Sequence, residues 1–182
     1  MPDSIRFLSE KIASPLRWLW LSGLLIVLDQ WSKAAVTARF ELYETLRVLP
    51  VFNLTLAHNT GVAFSVFAQG SGWQRWVFSA LALVVSVVLV GWLRSLPRYA
   101  HLTASALSLI IAGALGNMID RLRFGYVVDF LQWHWAEHYF PAFNVADAAI
   151  TVGAGLLILE SLLTSRGHRA GGADDGRGGI PG

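Results

Sequence analysis

Four long apolar runs divide this chain, and they limit the fold before any motif is read. They lie at about residues 17–36, 76–93, 101–119 and 145–163. A helix needs roughly 20 mostly apolar residues to cross about 30 Å of hydrocarbon. Each run approaches that length, and the second, "WVFSALALVVSVVLVGWL", carries no charge. Charged residues make up 14% of the chain, against about 25% in soluble domains. The mean hydropathy is +0.51. The expected class is an all-α membrane protein with four transmembrane helices. The first run is a poor cleavable signal, because it is longer than a signal core and holds Asp29 and Lys33.

Lys and Arg beside the helix ends set orientation. Arg6, Lys11 and Arg17 precede the first run, Arg94 and Arg98 lie between the second and third, and Arg166 and Arg169 follow the fourth. All fall on one side, so both termini are expected to be cytoplasmic. Arg39, Arg47, Arg75, Arg121 and Arg123 fall on the other side, so the bias is modest. The eight Trp suit a chain with two water–lipid interfaces. The absence of Cys excludes disulfides, thiolate catalysis and Cys-ligated metal. A pI near 9.3 on a net charge of +2 reflects loop bias and gives no nucleic-acid footprint.

Two outer segments, about 38–75 and 120–143, connect the runs. In "VFNLTLA", Phe52, Leu54 and Leu56 alternate with Asn53 and Thr55, which predicts a strand with one apolar face. Pro50 just before it suits an edge position. "GVAFSVF" reads as a short amphipathic interfacial piece. The segment 120–143 is dense in aromatics and is expected at the interface. Residues 1–166 are expected to form a single domain, and the Gly-rich stretch 167–182 a disordered cytoplasmic tail.

Charge inside a span is expensive, so each instance is a functional hypothesis. Here the polar residues gather at one membrane face. Asp29 and Lys33, four apart with the acid first, form a favourable helical ion pair. Asn117, Asp120 and Arg121 share a helix face, where they either cap the helix or order a neighbouring site. "FNVADAAI" places Asn144 as an N-cap and Asp147 in the first turn. Asp129, flanked by Val127, Val128 and Phe130, needs a partner or a proton if those neighbours bury it. Glu160 stands apart, near the inner end of the last run, within reach of headgroups.

The turnback into the fourth run can bring Asp129 and Asp147 together. Two close carboxyl groups share a proton, so one can activate water while the other donates to a carbonyl. The helix N-terminus favours charge on Asp147, and apolar neighbours favour the proton on Asp129. A competing motif is "HWAEH", residues 134–138. On a helix it would put His134 and His138 on one face for zinc, with Glu137 as base. A third ligand is missing, and Pro141 follows closely. Intramembrane charges also occur in transporters, but the uncharged second run offers no relay. A non-catalytic assembly factor would use the same cluster for docking.

Five ordered blocks, "LDQWSK", "HNTGVAF", "GALGNMIDR", "VVDF" and "FNVADAAI", resemble the lipoprotein signal peptidase (signal peptidase II) family. The resemblance spans roughly residues 20–160. Thr60 and Val62 depart from the family's usual N-x-G-A-A-F, and Ala112 stands where a Gly is common. The resemblance implies a bacterial inner-membrane aspartyl endopeptidase without cofactor or metal. It would remove signal peptides from diacylglyceryl-modified prolipoproteins before the lipidated cysteine. It also implies Asp129 and Asp147 as catalytic, and Asn59, Gly61, Asn117, Asp120, Arg121 and Asn144 as supporting or substrate-binding. Asp29 and Lys33 match motif positions of less settled role. An extracytoplasmic β-cradle and a short interfacial helix would cover the site near the periplasmic face. Membrane lipids and the inhibitor globomycin are the other implied partners, and a monomer suffices.

Overall fold

The computed structural model describes residues 14–61 and 72–171. A 3-10 turn, Pro15–Trp18, leads into helix α1, Leu19–Thr37. The Ser14 hydroxyl accepts from the Leu16 amide at 3.3 Å. Strands β1, Thr45–Leu49, and β2, Phe52–Asn59, follow. Helices α2, Trp73–Ser95, and α3, His101–Phe124, come next. Strands β3, Val127–Trp135, and β4, His138–Tyr139, precede helix α4, Val145–Gly171.

Helices α2, α3 and α4 are long and apolar enough to cross a membrane. Helix α1 has 19 residues, and Asp29, Gln30, Ser32 and Lys33 occupy its second half. On α2, Val77, Leu81, Leu83, Val84, Val87 and Val88 are 50–64% exposed. Contiguous apolar surface of this kind suits hydrocarbon and not water. The chain is accordingly a multi-pass membrane protein. α3 is the central helix and packs against α1, α2 and α4. Near its start, Ala104, Leu107 and Ile111 bury an apolar cluster with Leu93 of α2. Close helix approach relies on small residues: a Cβ on Gly153 would meet the Ala106 carbonyl at 2.7 Å.

The four strands form one antiparallel sheet in the order β1-β2-β3-β4. The register pairs Leu54 with Leu131, Ala57 with Asp129 and Asn59 with Val127. β3 packs on α1 and α3, which holds the sheet against the helix bundle.

Several details differ from the sequence expectation. β2 is an inner strand, and Pro50 sits in the β1–β2 turn, where no ladder hydrogen bond is needed. Its burial runs against the apolar pattern only in its first half: Asn53 and Thr55 are buried while Phe52 and Leu54 are half-buried, and Leu56 is buried as expected. Asn53 donates to Gln132 at 3.3 Å, and Thr55 donates to the Glu44 carbonyl at 2.9 Å. These bonds satisfy the buried polar side. α3 runs five residues beyond the expected Ile119 and ends at Gly125, whose φ of +86° suits a left-handed cap. The segment 120–143 holds the end of this helix and the β3–β4 hairpin. α4 extends to Gly171, past the expected start of the tail at Gly167. The amphipathic piece from Val62 onward, Arg6, Lys11 and residues 172–182 lie outside the described residues.

Candidate functional site

A charge on a packed helix must be paired. Lys33 is 3% exposed, and its Nζ lies 2.8 Å from Asp29 Oδ2 and 2.9 Å from Asp120 Oδ2. It also donates to Asn117 Oδ1 at 3.0 Å. The expected Asp29–Lys33 pair is therefore part of a larger cluster that joins α1 to α3. Gln30, which sequence reasoning passed over, completes it by donating to Asp120 Oδ1 at 2.8 Å. Its signal was its place inside the "LDQWSK" block. Asp120 Oδ2 further accepts the Val128 amide at 3.1 Å, which ties α3 to β3. A Cβ on Gly116 would stand 2.8 Å from Asp29 Oδ2, so only a glycine leaves room for this carboxylate.

The start of α4 is built on the same residues. Asn144 Oδ1 accepts the Asp147 amide at 2.9 Å, and Asp147 Oδ2 accepts the Asn144 amide at 3.3 Å. This is a reciprocal capping box. The Ala146 amide, another orphan donor of the first turn, goes to Asp29 Oδ1 at 2.9 Å. Asn144 Nδ2 faces the other way, 2.7 Å from Asp129 Oδ1, 3.1 Å from Asn117 Oδ1 and 3.3 Å from the Val128 carbonyl. Asn117 Nδ2 donates to Asp147 Oδ1 at 2.7 Å. Asn59, at the end of β2, donates to Asp129 Oδ2 at 2.9 Å and accepts the Gly61 amide at 2.8 Å. Gly61 has φ +82°, and a Cβ there would meet Phe78 Cε2 at 2.6 Å. Arg121 lies over the Phe78 ring at 5.1 Å, and its charge is felt by Asp147, Asp129 and Asp120.

Each oxygen of Asp129 and of Asp147 thus has a donor, and Asn144 touches both residues. Asp129 is buried among Val127, Val128 and Phe130. That burial pushes its carboxyl up to about 6, and the nearby Asp147 charge pushes the same way. The hydrogen bonds from Asn59 and Asn144, with the Lys33 charge, pull against it. Asp147 is half-buried. The ten residues singled out from the sequence converge on this one end of the bundle.

The zinc reading of "HWAEH" does not survive. The segment is a β-hairpin, with His134 paired to Tyr139 and Trp135 paired to His138. Cross-strand partners share a face and neighbours alternate, so His134 and His138 point to opposite faces. His134 stacks on Tyr139, with ring centroids 5.4 Å apart. Among the described residues no group of three His, Asp or Glu is arranged to hold a metal ion. His58, left unexplained by the sequence, stacks on Tyr126 at 3.8 Å beside the site.

Fold and site together define a multi-pass helical membrane protein with two hydrogen-bonded aspartates at one end of its bundle. The profile of the Signal peptidase (SPase) II family matches residues 21–163, and the chain belongs to that family of peptidases. A lipoprotein signal peptidase of Shewanella halifaxensis is 51% identical over 153 residues, covering 84% of this chain and 90% of that protein. One from Actinobacillus succinogenes is 54% identical over 151 residues, covering 83% and 93%. One from Pseudomonas aeruginosa is 48% identical over 172 residues, covering 93% and 98%. A bacterial membrane enzyme solved by the in meso method at 1.9 Å superposes with a TM-score of 0.72 at 28% identity, covering 80% of this chain and 92% of the other.

Proposed function

We propose that this chain is an aspartyl endopeptidase of the bacterial inner membrane that removes signal peptides from diacylglyceryl-modified prolipoproteins, cutting before the lipidated cysteine. Asp129 and Asp147 form the dyad. Residues 1–166 act as one four-span unit with both termini cytoplasmic and the site near the periplasmic face. The observation that carries this reading is the Asn144 side chain, which caps α4 through Asp147 while donating to Asp129 at 2.7 Å.

Water enters between the two carboxyl groups. The ionised aspartate takes its proton as the water oxygen attacks the scissile carbonyl, and the protonated one donates to the carbonyl oxygen. The tetrahedral intermediate then collapses with a proton passed to the leaving amine. Burial favours Asp129 as the proton holder, although the dyad titrates as a unit. Asn59, Asn117 and Asn144 hold the carboxylates in place, and the Arg121 guanidinium offsets their negative charge. A substrate with a membrane-inserted helix and two acyl chains reaches such a site sideways from lipid.

The test is cleavage of lipid-modified prolipoprotein by Asp129→Asn and Asp147→Asn, each shown to be folded. Loss of about 10²–10⁴-fold is expected for a missing general acid or base. Ordinary turnover in either variant refutes the dyad. Inactivation of the wild type by a chelator refutes the metal-free mechanism.

A further inference from the structure

Glu160 has no part in this site. It lies about 20 Å farther along α4 than Asp147, at 1.5 Å per residue. It and Asp147 are the two carboxylates between Val145 and Ser165. One oxygen accepts a hydrogen bond from the buried Thr103 hydroxyl in the first turn of α3. Among the residues whose side chains the structure describes, 14–61 and 72–165, both ion pairs belong to Lys33 and neither involves Glu160. The carboxylate lines a cavity of about 620 Å³ with Trp92, Tyr99, Thr103, Ser161 and Thr164. The loop Leu96–Ala100 forms one wall, which sets the cavity at the level of the helix ends. Arg98, exposed, stands in that loop between the lining residues Pro97 and Tyr99.

The structure assigns this cavity as a binding site for a zwitterionic phospholipid headgroup bearing a primary ammonium. A carboxylate in a membrane helix calls for a partner, and an N–H-bearing cation supplies both charge and hydrogen bonds. Trp92 and Tyr99 place aromatic rings in the same lining, where a cation can be held against them. Arg98, in the loop that walls the cavity, suits the phosphate, and the apolar lining residues Leu96 and Leu157 suit the acyl chains. An anionic headgroup without the ammonium can still offer its phosphate to Arg98 but is repelled by Glu160, and a trimethylammonium headgroup cannot donate to it.

The test uses the full chain, delipidated in detergent and offered equal amounts of phosphatidylethanolamine, phosphatidylcholine and phosphatidylglycerol, with retained lipid read by native mass spectrometry. The wild type should retain phosphatidylethanolamine about tenfold over the other two, the scale of one charge-assisted hydrogen bond. Glu160→Gln should bring the ratios to about one at unchanged overall lipid load. Ser161→Trp, which puts a large side chain into the lining and removes neither Thr103 nor Glu160, should lose the bound lipid without lowering the unfolding temperature. Equal retention by the wild type, or an unchanged preference in Glu160→Gln, overturns the assignment. So does a stoichiometric protein partner occupying Glu160 in place of lipid. The readout is lipid retention, so the result stands independently of proteolysis.

Discussion

Replacing Lys33 by Met is the sharpest probe of how the site is held together. The ammonium is 3% exposed and neutralises two carboxylates at once, at 2.8 Å on Asp29 and 2.9 Å on Asp120. Met keeps the approximate volume and removes the charge. Asp29 and Asp120 are then left as buried acids supported only by Gln30 and by the amides of Ala146 and Val128. Breaking a buried ion pair in this way costs about 3–5 kcal/mol. At roughly 2–4 °C per kcal/mol for a chain of this size, the unfolding temperature should fall on the order of 10 °C. Thermal unfolding in detergent, followed by fluorescence of the eight Trp, reads the change. The double variant Lys33→Met, Asp29→Asn should be more stable than Lys33→Met alone, because it removes one stranded charge, and the two substitutions will not add. If Lys33→Met unfolds at the wild-type temperature, the cluster is not what fastens α1 to α3. The reasoning then fails.

Asn59→Ala removes the donor that favours the charged form of Asp129. The carboxyl already sits at about 6 and should rise further. The Asp129-dependent limb of the pH–rate profile should therefore move to higher pH, by about one unit for a hydrogen bond to a charged group; a shift to lower pH contradicts the assignment. Gly116→Ala gains about 1 kcal/mol of helix propensity but drives a methyl to 2.8 Å from Asp29 Oδ2. Overpacking costs about 1–3 kcal/mol, and the opposed oxygen is pinned by Lys33, so a lower unfolding temperature is expected. An increase would show that α1 yields at that point.

The helices were legible because hydrophobic run length is a one-dimensional signal. The site was legible because its residues sit in short blocks whose polar members have no other reason to interrupt apolar sequence. Asp129 between Val128 and Phe130 was visible for that reason, and its buried environment in β3 follows from the same neighbours. What the sequence hid depends on which partner each residue meets. Gln30 looks like an ordinary polar residue until α3 brings Asp120 within 2.8 Å. The burial of Asn53 in β2 goes with a partner strand that places Gln132 opposite it. "HWAEH", already short of a third ligand, matched a zinc pattern only at the helical period, whereas two strands and a turn at Ala136, with φ +48°, put its two histidines on opposite faces.

The start of α4 shows why capping and chemistry are not alternatives here. A helix N-terminus presents amides that must find acceptors, and in a bundle with little water those acceptors have to be side chains. Asn144 Oδ1 and Asp29 Oδ1 take two of them, at 2.9 Å each. Asp147 accepts the Asn144 amide just ahead of the helix. Because Asn144 spends its oxygen on the cap, its amide nitrogen has to point outward, and the acceptors it meets are Asp129, Asn117 and the Val128 carbonyl. The same rotamer that terminates the helix therefore orients a donor onto the second acid. Asn117 is fixed by the complementary constraint: its oxygen faces Lys33 and Asn144, so its nitrogen must face Asp147. The alignment of the two carboxylates is thus a by-product of satisfying a helix end and a buried lysine. The two carboxylates proposed as the dyad therefore rest on the contacts that also hold α1, α3, β3 and α4 together.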